Sequence, residues 1–290
     1  MSAVSDRYDA AARDYVRYWE PVLAATALRL LDGVDAEVHR AIESARGRWS
    51  TAGPARLLDI GTGAGTLALG ALRRWPGLIV VGIDASGGML DVLRERAADD
   101  PGRLDVAARL QLLRGPADRI PLPDRSVDLA VSSFVFQLVP DRTAAFRDAL
   151  RVLRAGGRLS FVTWMDHDDD SFRPTRVVDE LLDELEVPVP EDPDEDVAGD
   201  FVSARSAADQ LRRAGFRDVK ARQETLEYRW SPDDFLEYKL HYAERSAVAG
   251  LDEDAWQELW RRSRERLAEL APQAFRWRSP VVFASGMRPA

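Results

Sequence analysis

Residues 57–69, Leu-Leu-Asp-Ile-Gly-Thr-Gly-Ala-Gly-Thr-Leu-Ala-Leu, constrain the fold more than any other stretch of this chain. An apolar run ends at Asp59, and alternate glycines follow at Gly61, Gly63 and Gly65. A helical apolar pattern through Leu67, Leu69, Ala71 and Leu72 then begins at once. This order predicts strand, tight turn, helix. Glycine serves where the backbone turns sharply or must let a ligand approach without a Cβ in the way, and the start of the next helix offers unpaired N–H groups. Such a turn is a cradle of the nucleotide type.

Its spacing narrows the choice. A dinucleotide fingerprint reads G-x-G-x-x-G/A, but the sixth position here is Thr66 and the pattern is acidic-x-G-x-G-x-G from Asp59. That version resembles motif I of the class I S-adenosylmethionine-dependent methyltransferases. The resemblance implies a Rossmann-like sheet of seven strands and puts Asp59, Gly61, Thr62, Gly63 and Gly65 at the cofactor.

Composition sets limits around that reading. At 290 residues, with 46% hydrophobic and 31% charged residues, the chain has the makeup of an ordinary soluble protein. It has no cysteine, which excludes disulfides, thiolate metal sites and a cysteine nucleophile. Asp6, Arg7 and Asp9 stand where a signal peptide would be apolar, and no apolar run approaches membrane-spanning length. A cytoplasmic location and no membrane partner are therefore expected. The net charge of −9 argues against nucleic acid as a partner. It is concentrated: residues 166–200 hold fifteen acidic residues against Arg173 and Arg176, so the remainder is mildly positive.

Before the glycine turn, Tyr8, Ala12, Tyr15, Trp19 and Leu23 recur at helical spacing, with an interruption expected at Pro21; a second helical pattern runs through Val34, Val38 and Ile42. The aromatic stripe reads either as core packing or as a cover over the cradle, where Tyr8 and Tyr15 would hold a sulfonium by cation–π attraction. After the turn, a second strand at 78–83 ends in Asp84, 19 positions beyond Gly65. A carboxylate about 20 residues on binds ribose hydroxyls in such folds. Ser86 caps the next helix, and the resemblance places Ala85 and Met89 beside the adenine.

A third strand at 110–113 leads to Gly115-Pro116-Ala117-Asp118. The resembled family usually has Asp directly after the glycine, to accept from the adenine amino group. Pro116 takes that position here, which leaves Asp118 or a backbone carbonyl near Ala117 for the task. A fourth strand at 127–131 is almost unbroken in apolarity, as expected when both faces are covered. Ligands in open α/β sheets sit beyond the carboxyl ends of strands, so Ser132 and Phe134 are expected at the cofactor, and Phe136 and Gln137 at the substrate. There is no Asn-Pro-Pro-Tyr or Pro-Cys motif, which argues against amino-methyltransferases acting on adenine or glutamine amides and excludes cysteine-dependent cytosine enzymes.

A helix through Ala145, Phe146 and Leu153 is expected to stop at Gly156 and Gly157, followed by a fifth strand at 158–164 ending in Trp164, a substrate candidate. Next comes Met165-Asp166-His167-Asp168-Asp169-Asp170, which reads as a solvated loop, as a general base on His167, or as a Mg²⁺ site. Adjacent aspartates rarely converge on one ion, so no metal is expected and His167 is the catalytic candidate. Beyond it, the acidic run 187–193 is expected to be an extended mobile loop. A helix starts at Ser203 or Ser206, a sixth strand spans 219–229, and the final strand spans 281–285. Between them an aromatic-rich helical pair contributes Phe235, Tyr238 and His241 as substrate candidates.

The expected architecture is α/β: a seven-stranded, mostly parallel sheet with helices on both faces, the last strand antiparallel, and helical lid insertions. The divisions are N-terminal helices covering the cleft at 1–55, core at 56–165, acidic insertion at 166–202, core at 203–230, helical lid at 231–278 and final strand at 279–290, overall one domain. The resemblance covers about residues 8–231 and resumes at Ser279. It implies methyl transfer from S-adenosylmethionine to an O, N or C atom of a small, partly apolar acceptor, by a monomer or homodimer. A nicotinamide-dependent oxidoreductase fits Thr66 poorly; a non-catalytic protein that binds S-adenosylmethionine is the rival.

Overall fold

The computed structural model describes residues 3–47, 53–100, 103–167, 172–188 and 197–290. The expected roles of Asp168, Asp169 and Asp170, and the expected loop at 189–193, lie outside them.

The chain begins with α1 (Ala3–Asp14), a π-helical turn (Tyr15–Trp19) and α2 (Glu20–Gly47). The two helical patterns of the sequence thus belong to one long run, and the interruption falls just before Pro21. Glu20 N–H reaches back five residues to Tyr15 O. Proline has no N–H and its ring crowds the carbonyl four residues back; a widened turn there accommodates both.

The core follows: β1 (Ala55–Ile60), α3 (Thr66–Arg74), β2 (Leu78–Asp84), α4 (Gly87–Asp99), α5 (Arg103–Arg109), β3 (Leu110–Arg114), β4 (Val127–Ser133), α6 (Arg142–Val152) and β5 (Leu153–Trp164). After α7 (Arg173–Glu184) and α8 (Ala204–Ala214) comes β6 (Arg217–Arg229). The lid is α9 (Pro232–Tyr238), a second π-helical turn (Lys239–Ala243), α10 (Arg245–Val248), α11 (Glu253–Ala268) and a 3₁₀ turn (Pro272–Phe275); β7 (Arg276–Met287) closes the fold.

The strands form one sheet in the order β3-β2-β1-β4-β5-β7-β6. β1 to β5 pair in parallel, and β7 is antiparallel to both β5 and β6, as the sequence predicts. Successive side chains of a strand point to opposite faces. Leu57 and Val80 accordingly pack with α2 and α3, while Leu58, Ile60 and Val81 pack with α6 and α8. Burial on both faces explains why β1, β2 and β4 read as continuous apolar runs.

Two boundaries differ from expectation. α6 ends at Val152, and Gly156 and Gly157 lie inside β5, where its pairing with β4 skips register between Val127 and Leu129. The final strand runs 276–287 instead of 281–285, because β6 and β5 flank it on both sides. The lid is tied to α7 by Lys239, a buried lysine whose ammonium meets Asp179 at 2.7 Å and Glu244 at 2.8 Å.

Two glycines provide opposite tests of this packing. Gly65 has φ +93°, and a Cβ there would come within 2.1 Å of Leu93 Cδ1, so Gly65→Ala costs about 2 kcal/mol in urea unfolding. Gly33, inside α2, would meet nothing within 4 Å, so Gly33→Ala stabilises by roughly 0.5–1 kcal/mol.

Candidate functional site

The glycine turn emerges between β1 and β4, where strand order reverses, the place at which open α/β sheets bind ligands. Gly61 has φ +67°, and a Cβ there would lie 2.2 Å from Val135 Cγ2. The turn is fixed from below: Thr62 N–H donates to Ile83 O at 2.8 Å, and Gly65 N–H donates to Thr62 O at 2.9 Å. Thr62 Oγ1 donates to Asp59 Oδ2 at 2.8 Å. Glu20 braces it from outside, accepting from Thr66 Oγ1 and from Arg96, whose Nη1 also donates to Ala64 O.

Asp84 joins this turn to the next one. Its Oδ2 accepts from Gly63 N–H at 2.8 Å and its Oδ1 from Ser86 N–H at 2.9 Å. A carboxylate can accept about four hydrogen bonds, and Ala85 N–H is a further donor to this one. A cavity of about 170 Å³ opens above. Tyr8, Tyr15, Gly61, Gly63, Asp84, Ala85, Met89 and Ala117 line it, together with Phe134, Gln137 and Trp164. Eleven sequence-predicted residues therefore share one cavity.

The remaining candidates stand elsewhere. Asp59, Thr62 and Gly65 lie beneath the turn, supporting its shape without lining the cavity. Asp118 does not line it either, although its Oδ1 is buried with no hydrogen-bond partner among the described residues. Ser132 is fully buried and donates to Ile60 O at 2.9 Å; its neighbour Ser133 takes the lining position. Phe136 is a core residue against Phe146 and Phe161.

His167 is exposed and outside the cavity; its Nδ1 lies 3.1 Å from Met165 O and its Nε2 3.4 Å from Ser279 Oγ. Phe235 packs against Phe172 and Trp230 inside the lid. Tyr238 stacks between Trp19 and Trp230, behind the cavity wall. His241 is exposed, stacked on Tyr18 and flanked by Trp256 and Trp260. These three follow the helical period correctly, but that period serves the lid's own packing.

Sequence reasoning missed Trp19 and Leu23 as lining residues, although both sit on the stripe that flagged Tyr8 and Tyr15. It also missed Asp9, which carries no motif. Pro116 lies in the wall beside Ala117. Gln137 is fixed from two sides: Nε2 donates to Phe134 O at 2.7 Å, and Oε1 accepts from Thr163 Oγ1 at 2.6 Å.

Residues 58–161, the segment holding both turns, match the family described as "Methyltransferase domain". Over that segment the chain is similar to methyltransferase domains. The chain is 38% identical over 112 residues to the ubiquinone/menaquinone biosynthesis C-methyltransferase of Geobacter sulfurreducens, covering 38% of this chain and 41% of that protein. It is 32% identical over 174 residues to the malonyl-[acyl-carrier protein] O-methyltransferase of Methylococcus capsulatus, covering 60% and 56%. The chain spans about half the length of the curated relatives it matches. A putative methyltransferase of Bacillus halodurans shares the fold at a TM-score of 0.50 and 15% identity, covering 88% of this chain and 100% of that one. So does the [4+2]-cyclase SpnF, at 0.51 and 18%, covering 87% and 80%. Among the described residues, no helix is long and apolar enough to cross a membrane.

Beneath the glycine turn, burial pushes the Asp59 carboxyl up to about 7, against the Thr62 hydrogen bond and with added repulsion from Asp84. Burial likewise raises Asp84. A carboxyl that holds its proton more tightly when folded favours the fold at low pH and disfavours it increasingly as pH rises from about 4 to about 7. Between pH 5 and pH 8 the wild type is therefore expected to lose about 3 kcal/mol more stability than Asp59→Asn, read from urea unfolding at the two pH values.

Proposed function

We propose that the protein transfers the methyl group of S-adenosylmethionine to a small, partly apolar acceptor. The observation that carries this reading is the cavity end built by Gly61, Gly63 and Asp84. When bound, S-adenosylmethionine supplies a methyl group on a sulfonium that leaves as a neutral thioether. The rest is the work of the chain's own residues.

The fit of that cofactor is supported by three features. A Cβ at Gly63 would meet no protein atom within 4 Å, so the backbone there can approach a ligand closely. Asp84 offers two oxygens to a ribose diol. The backbone at Ala117, which lines the cavity, is assigned to the adenine amino group. Tyr8 and Tyr15, set edge to face at 6.0 Å, are assigned to the sulfonium end, where aromatic faces attract a cation.

The acceptor is assigned to the other end, between Trp19, Phe134, Trp164 and Leu138, with the Gln137 amide as its polar anchor. The curated relatives are named for C-methylation in quinone biosynthesis and for O-methylation of a malonyl-carrier, and an acceptor of either atom type suits these walls. Among the described residues Asp84 is the one carboxylate lining the cavity, and the ribose is assigned to it. The acceptor therefore brings its own nucleophile, and the chain contributes positioning and exclusion of water.

S-adenosylhomocysteine at about 100 times its dissociation constant is expected to stabilise the protein by about 2.7 kcal/mol, seen as a raised melting temperature; NAD(H) should leave it unchanged. Asp84→Ala should remove most of that shift, and a full shift in this variant would show the ribose assignment to be wrong. Because His167 does not line the cavity, His167→Ala should keep methyl transfer from labelled S-adenosylmethionine within about threefold of wild type.

A further inference from the structure

Val4, Ser5 and Tyr8 place α1 against the cavity as one of its walls. The residue after Tyr8 faces a different neighbour. Asp9 Oδ1 accepts from Ser86 Oγ at 2.5 Å and from Gly88 N–H at 2.9 Å, at the start of α4, where a carboxylate also complements the helix dipole. Asp9 Oδ2 lies 3.4 Å from Arg114 Nη2, and Arg114 Nε donates to Ala85 O at 3.0 Å. The Ser86 hydrogen bond, with Gly88 N–H and Arg114, holds the Asp9 carboxyl below the usual carboxylate range. One side chain of α1 thus grips the loop that carries Asp84, Ala85 and Ser86.

The backbone is shaped for the same contact. A Cβ at Gly88 would stand 2.7 Å from Asp9 O and 3.1 Å from Asp9 Cα. Any other residue there would push α1 off its seat. Beyond α1, the π-helical turn at Tyr15–Trp19 interrupts the regular hydrogen-bond ladder toward α2, so α1 joins the rest of the helix through its least regular segment. Elsewhere α1 meets α4 through Ala12, packed with Met89 and Val92, and through Arg13 with Glu95 at 2.8 Å, an exposed pair of the kind that contributes little.

We infer that Asp9 is a positioning residue that latches α1 over the nucleoside end of the cavity and sets how long a bound cofactor stays. This rests on the reading that the cavity takes S-adenosylmethionine. The latch joins the cover to the loop that holds the ribose, so closure of α1 and the shape of the ribose site are maintained by one carboxylate.

The test uses the full chain and two readouts: amide exchange of residues 3–14 without ligand, and dissociation of S-adenosylhomocysteine by stopped-flow displacement. Asp9→Ala is expected to speed exchange across α1 and to release S-adenosylhomocysteine about tenfold faster. Asp9→Asn should fall between it and wild type. Gly88→Ala, which displaces α1 without removing a charge, should reproduce the faster release. Arg13→Ala should leave both readouts within about twofold of wild type. Faster exchange with unchanged dissociation would make Asp9 a plain structural tie and overturn the latch, as would unchanged exchange in Asp9→Ala and Gly88→Ala. If the wild type itself binds no S-adenosylhomocysteine, the cofactor reading fails and this role fails with it; unchanged release in a chain that binds sinks the role alone.

Discussion

The Asp84 carboxylate, accepting Gly63 N–H on one oxygen and Ser86 N–H on the other, is the contact on which the cavity's shape depends. Each turn alone is a glycine-rich loop whose backbone has many other conformations available. A single rigid acceptor between them removes that freedom, and it does so from the end of a strand buried on both faces. Holding a carboxylate in that position has a cost that burial makes visible in its raised proton affinity, and the backbone N–H groups of Ser86, Gly63 and Ala85 offset part of it. Two hydroxyls of a bound sugar would offset more. The site is therefore less comfortable empty than occupied, which is how a fixed, partly desolvated carboxylate favours a ligand rich in donors.

A second constraint acts from above. The π-helical turn at Tyr15–Trp19 faces the one at Lys239–Ala243 across an aromatic seam: Tyr15 meets Tyr242 at 6.4 Å, Trp19 stacks on Tyr238 at 5.0 Å, and Tyr18 stacks on His241 at 6.0 Å. Three consecutive ring pairs join the N-terminal cover to the C-terminal lid. His241, which looks like chemistry in a sequence, is one rung of that seam, and Trp256 and Trp260 close around it. The rings give both segments apolar surface and defined geometry, so the cavity wall that Tyr15 and Trp19 form is backed by an element from the far end of the chain.

What was legible in the sequence follows from this division. Strands buried on both faces leave unbroken apolar runs, and helices on them leave 3.6-residue periods, so sheet content, parallel pairing and the antiparallel last strand could all be read. Gly61, Gly63 and Asp84 were equally legible, because backbone approach and a fixed carboxylate demand particular residue types at particular spacing. Past the end of β4 that logic stops. Phe134 has φ +55°, so the strand alternation that would assign Ser132, Phe134 and Phe136 to one side no longer holds. Ser132 and Phe136 turn inward while Ser133 and Gln137 face the cavity. Asp9 was illegible for a different reason: its partners lie 77 and 79 residues away in the chain, and nothing local marks it.

The same division separates what the matched segment shares with its relatives from what is particular to this chain. The end proposed for the nucleoside takes Gly61, Gly63, Asp84 and Ala117 from residues 58–161, the segment that matches the family, and Tyr8 and Tyr15 from outside it. The end proposed for the acceptor takes Phe134, Gln137 and Leu138 from that segment, and Trp19, Leu23 and Trp164 from outside it. Trp19 and Trp164 approach each other at 6.3 Å, and Phe134 meets Trp164 at 4.5 Å, so replacing any one ring would open space that its neighbours line. Selection of an acceptor by such a wall depends on side-chain shape. A relative's acceptor need not carry over to this chain even where its cofactor does, because Trp19, Leu23 and Trp164 of this wall lie outside the matched residues.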